Sequence, residues 1–186
     1  HFIPATLATH QPSGGHVSSH GVTVLATALR PKSRGFVRLA SADPLVDPLI
    51  NTNFLAHPDD IKQNVAALRV ARDVMGAPSF RALYDREIFP GVDCASDDDL
   101  ARYVRANAKT DFHPVGTCRM GCDEEAVVDQ ELRVRGIDGL RVADASVMPQ
   151  IVSGNTNAPA IMIGERAAAM ITGSHSLPSQ KRRNFF

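Results

Sequence analysis

Three helix starts set the frame of this chain. Pro58-Asp59-Asp60 puts proline in a first turn and two carboxylates where the helix dipole favours negative charge. Ser96-Asp97-Asp98-Asp99 offers a serine N-cap ahead of an acidic first turn. Asn157-Ala158-Pro159 places an amide just before a proline-containing turn. Apolar residues at helical spacing follow each start: Ile61, Val65, Leu68 and Met75, then Leu100, Val104 and Ala108, then Ile163, Ala167 and Met170. Gly76-Ala77-Pro78 closes the first run, and Gly173 closes the last, which is predicted from Pro159 onward. These stripes are core faces. The aspartates at 97–99 lack the glycine and distant glutamate of a calcium loop, so they are read as helix capping.

The segments between are read as strands and turns. Val22 to Leu29, β-branched at its start, is predicted as a strand largely buried on both faces. Pro31-Lys32-Ser33-Arg34-Gly35 then turns the chain into a second strand, Phe36-Val37-Arg38-Leu39, giving an antiparallel hairpin. Ser41 to Asn53, with Pro44 and Pro48, is predicted as a connecting loop. Leu132-Arg133-Val134-Arg135-Gly136 and Leu140-Arg141-Val142-Ala143 flank an Asp138-Gly139 turn and form a second short hairpin. The fold class that results is α+β, an antiparallel sheet with flanking helices. His1 to His20 is predicted as a short strand running into irregular loop, with His10, His16 and His20 solvated. Residues 174–186 are read as a disordered tail whose Lys181-Arg182-Arg183 is solvated.

Composition excludes some partners. Lys+Arg and Asp+Glu balance at 20 each, which gives no electrostatic case for nucleic acid or an anionic membrane. No apolar run approaches the ~20 residues that span a bilayer, and no signal-peptide pattern opens the chain. Without an initiator methionine it is expected to be a processed chain or a piece of a longer one. Three cysteines are too few for a disulfide framework, so a reducing, cytoplasmic location is expected. Cys118 and Cys122 with His113 lack a fourth ligand and the usual paired spacing, and no metal is expected.

Two segments carry candidate chemistry. In His113-Pro114-Val115-Gly116 the proline pushes the histidine toward extended backbone, and Gly116 admits close approach of another backbone or a flat ligand. An imidazole, with an ordinary pKa of ~6.5, can take a proton from an alcohol at neutral pH. In Ser153-Gly154-Asn155-Thr156-Asn157-Ala158-Pro159, Asn157 reads equally as a helix cap or as a polar group at the positive end of a helix. Asp144 reads as a turn aspartate or a ligand contact, and spacing leaves both open.

In order along the chain, the landmarks are Arg30-Pro31-Lys32-Ser33-Arg34-Gly35, Leu39-Ala40-Ser41-Ala42-Asp43-Pro44, Pro48-Leu49-Ile50 and His113-Pro114-Val115-Gly116-Thr117-Cys118-Arg119-Met120-Gly121. Leu132 to Gly136, Gly139 to Pro149 and Ser153 to Pro159 complete the set. Together they resemble the C-terminal part of the GMC (glucose-methanol-choline) flavin oxidoreductases, in the choline-dehydrogenase-like branch. The resemblance runs from His1 to Gly173. It implies oxidation of an alcohol to an aldehyde or ketone, with hydride passing to N5 of FAD. It implies that His113 is the catalytic base and that Asn157 hydrogen-bonds the substrate oxygen. It also places Asp144 and Ala145, and the run Asn155, Thr156 and Asn157, against FAD.

The resemblance further implies a substrate-binding domain over 1–112. Residues 113–173 would then hold the catalytic loop, hairpin and helix that return to and complete the FAD domain. No G-x-G-x-x-G follows a strand, so the phosphate-cradling half of an FAD site is not in this sequence. The expected partners are a small-molecule alcohol and an N-terminal FAD-binding part. The chain alone is expected to be inactive, and its exposed apolar surface to drive self-association. An oxidase, a non-catalytic binding or assembly module and a hydroxynitrile lyase of the same family stand as alternatives.

Overall fold

The computed structural model describes residues 2–5 and 21–174. The predicted loop from 6 to 20, with its histidines, and the tail from 175 lie outside the described residues. The chain divides into two compact units, His1–Asp111 and Phe112–Phe186.

In the first unit, β1 (Phe2–Ala5) and β2 (Gly21–Val24) pair antiparallel with Phe2 opposite Val24. A second antiparallel pair joins β3 (Phe36–Arg38) to β4 (Leu49–Asn51), with Phe36 opposite Asn51. The helices α1 (Pro58–Met75) and α2 (Asp97–Asn107) pack together through Val65, Leu100 and Val104, with Ile61, Leu68 and Cys94 around them. Ser96 caps α2 as expected. Its hydroxyl accepts from Asp99 N at 3.1 Å, and the Asp99 carboxylate accepts the Ser96 N–H in return.

The hairpin expected across residues 22–39 does not form. The strand ends at Val24 and pairs with β1, while Phe36–Arg38 pairs with a strand inside the segment expected to be loop. The cause is Asp60, whose buried carboxylate captures the turn. It accepts from Lys32 N at 2.7 Å, from Ser33 N at 2.8 Å and from the Ser33 hydroxyl. Burial opposes the charge on Asp60, but the Ser33 hydroxyl and the two backbone N–H groups together hold its carboxyl below the usual carboxylate range. Residues 31–35 are thereby tied to the start of α1 rather than closing a hairpin. Gly35 seals the arrangement, because a Cβ there would lie 2.0 Å from the Asn51 carbonyl oxygen.

In the second unit, α3 (Asn157–Thr172) ends at Gly173 and lays Ile163 and Ala167 on Val128, Leu132, Val147 and Met148. The hairpin around Asp138-Gly139 is present in reduced form. Val134 N donates to Leu140 O at 2.9 Å and Val142 N to Leu132 O at 3.1 Å, around one antiparallel bridge between Arg133 and Arg141. The α+β expectation holds: the described residues form short antiparallel sheets with three α-helices.

Candidate active site

The candidate site lies wholly within the second unit. Residues 116–120 run beside a 3-10 turn at Ala145–Val147. Cys118 N donates to Ser146 O at 3.0 Å and Met120 N to Val147 O at 2.8 Å. Gly116 sits at φ +91°, a backbone conformation that strains residues with a Cβ, so glycine suits this turn. Val147 and Met148 are also core partners of α3. One packed turn therefore fixes both the His113 segment and the helix whose start faces it.

His113 is half-buried, and both of its ring nitrogens are engaged. Nε2 lies 2.7 Å from the Asn155 amide nitrogen. Nδ1 lies 2.9 Å from Thr156 Oγ1, with Thr156 N at 3.5 Å. The sequence separation of 42 and 43 residues is closed by the turn and by α3.

The order of residues at the helix start differs from expectation. Helix α3 begins at Asn157, two residues before Pro159, so Thr156 is the N-cap and Pro159 occupies the third helical position. A first turn tolerates this proline because its N–H groups have no intrahelical partner. Asn157 is therefore the first helical residue, exposed, with no side-chain hydrogen bond among the described residues. The amide beside the imidazole is that of Asn155. Thr156, expected against a cofactor, is buried and directs its hydroxyl to His113. The sequence did hold a signal for this: counted back from the first proline-tolerant turn, either Thr156 or Asn157 can serve as the cap.

Asp144 caps the 3-10 turn, its carboxylate accepting from Ser146 N at 2.7 Å, and it is exposed. Ala145 is half-buried against the core. Beyond the site, Arg119 grips Asp123 with two hydrogen bonds of 2.8 and 2.6 Å, which holds the 119–125 turn closed. That guanidinium keeps the Asp123 carboxyl well below the usual range.

A family model described as GMC oxidoreductase matches residues 31–164. The chain belongs to the GMC oxidoreductase family. It is 46% identical over 185 residues to the oxygen-dependent choline dehydrogenase of Escherichia coli O45:K1, covering 100% of this chain and 33% of that protein. The enzyme of the same description from Klebsiella pneumoniae is 47% identical over 178 residues, 96% of this chain and 32% of that one. This GMC chain thus spans about a third of the length of the curated relatives it matches.

Solved GMC structures share its architecture. Pyridoxine 4-oxidase from Mesorbium loti aligns with a TM-score of 0.78 at 28% identity, over 91% of this chain and 33% of that one. A formate oxidase from Aspergillus oryzae RIB40, described for its FAD modification, aligns at 0.73 with 38% identity, over 79% and 26%. Among the described residues of the GMC chain no helix is long and apolar enough to cross a membrane.

Proposed function

We propose that this GMC chain is the part of an FAD-dependent alcohol oxidoreductase that carries the base. The observation behind this reading is the His113 imidazole, held by Thr156 on one nitrogen and facing an exposed amide on the other. An amide nitrogen only donates, so Nε2 accepts from Asn155 and presents a lone pair there. A substrate hydroxyl that takes the amide's place donates its proton to Nε2 as the carbon gives up a hydride and the C=O bond forms. The released Asn155 amide then donates to the same oxygen, where charge builds as the proton departs. Asn157, one position inside the helix and exposed, offers a second amide on the adjoining surface.

The residues present fit a flavin. The positive end of a 16-residue helix and two exposed amides suit an electron-rich ring edge, and the exposed Asp144 carboxylate suits a hydrogen-bond donor. FAD, when bound, supplies the hydride acceptor. Asp144, Ala145, Asn155 and Asn157 would hold it, with 113–173 completing the cofactor domain and 1–112 shaping the alcohol pocket. The proposal takes the cytoplasm as location, in keeping with three free thiols.

Titrating the isolated chain with FAD tests the division of labour. Weak or absent binding and no turnover are expected, because the glycine-rich phosphate cradle is not in this sequence. Tight binding with alcohol oxidation by this chain alone would overturn that part. Cyanohydrin cleavage without an electron acceptor would redirect the reading to a lyase.

A further inference from the structure

We propose that Thr156 is a positioning residue that keeps the neutral His113 ring in its Nδ1–H form and so reserves the Nε2 lone pair for the substrate hydroxyl. The inference rests on the reading of His113 as the base, but its first test does not depend on turnover.

Thr156 is 8% exposed and occupies the N-cap of α3, yet its hydroxyl makes no capping bond to its own helix. A threonine at that position ordinarily accepts from the second or third helical N–H. Here the hydroxyl turns to His113 Nδ1 instead, at 2.9 Å. A hydroxyl both donates and accepts, so this contact alone admits either tautomer. The contact at the other nitrogen favours one of them. With Asn155 Nδ2 at 2.7 Å, a proton on Nε2 would set donor against donor, whereas a proton on Nδ1 satisfies both short contacts.

The Thr156 backbone N–H also points toward Nδ1, at 3.5 Å, and favours the opposite form. It is the longest of the three contacts and the weakest. Threonine suits the task because branching at Cβ makes its χ1 stiff, and its own burial at the N-cap holds it still. The ring plane is thus set by α3, and the lone pair points to the exposed side where Asn155 lies.

The direct test is long-range proton–nitrogen correlation of histidine-labelled chain, with His113 assigned by its loss in His113→Gln. The expected spectrum shows Nδ1 protonated and Nε2 bare. Thr156→Val, which removes the hydroxyl at near-equal volume, is expected to shift the ring toward the Nε2–H form, while Thr156→Ser keeps the wild-type pattern. Wild-type chain in the Nε2–H form overturns the proposal without any variant. An unchanged tautomer in a folded Thr156→Val chain overturns it as well.

In the assembled flavoenzyme, Thr156→Val is expected to lower kcat roughly tenfold to a hundredfold with KM little changed, as for lost orienting partners elsewhere. Thr156→Ser should restore most of it. A wild-type kcat in Thr156→Val sinks the positioning role and leaves His113 as base untouched. Full activity in His113→Ala sinks the base and leaves the tautomer result standing.

Discussion

The imidazole of His113 has an amide nitrogen on one side and a hydroxyl on the other, and under the proposed function that asymmetry would give the base a direction. If the direction matters, the two nearby amides are not equivalent. Asn155→Ala in the assembled enzyme is expected to cost roughly tenfold to a hundredfold in kcat, the scale of one lost polar contact in the transition state. Asn157→Ala should cost less than Asn155→Ala in kcat and show instead in FAD affinity. Steady-state kinetics beside a flavin titration separates the two, and the reverse order would return the substrate-facing role to Asn157. His113 as a candidate was legible in the sequence, from the proline after it and the family wording around it, and the fold sets it beside Asn155 and Thr156. Which amide meets it was not legible. A shift of two residues in a helix start exchanges the neighbours, and proline in a first turn permits several starts.

Helices and strands differed in how far they could be read. Ser96, the acidic first turns and Gly173 act within a few residues, so α1, α2 and α3 carry their own punctuation. The strands are three or four residues long and owe their pairing to distant groups. The turn before β3 looked like a hairpin only because Asp60 was read as a helix-start charge. In the fold it is the buried acceptor that claims Lys32 N, Ser33 N and the Ser33 hydroxyl. Gly35 exposes this element to a direct test. Gly35→Ala would drive a methyl group into the Asn51 and Thr52 backbone, where nothing flexible can yield. A loss of more than about 2 kcal/mol in a urea melt is expected, typical of severe overpacking. A neutral substitution would mean that β3 and β4 are not held this close.

Across the whole molecule the charges balance, but the carboxylates do not behave alike. Asp59, Asp60, Asp99, Asp123 and Asp129 all lie below the ordinary carboxylate range. A depressed folded value means that each contributes stability that is fully present above the unfolded value of ~3.9 and lost as pH falls through the folded one. Stability is therefore expected to drop from about pH 5 downward as these groups gain protons. Among these five aspartates only Asp60 is buried, and it faces Lys32, Ser33 and His57. Asp60→Asn should start less stable at pH 7 and lose less between pH 5 and pH 3, with the other four aspartates supplying the remaining slope. Equal acid slopes in urea melts of the two proteins would show that Asp60 does not carry its share.

The family and its α+β architecture were readable at this scale because seven landmark segments recur in order. The chain spans about a third of the length of the curated relatives it matches. The central claim is that His113 removes the hydroxyl proton. It is tested most directly by anaerobic flavin reduction with an alcohol series, using this chain joined to the flavin-binding segment of a relative. The wild-type assembly should bleach the flavin on mixing, and His113→Ala should do so roughly 10²–10⁴-fold more slowly while still binding FAD. Flavin reduction at the wild-type rate in His113→Ala would contradict the account.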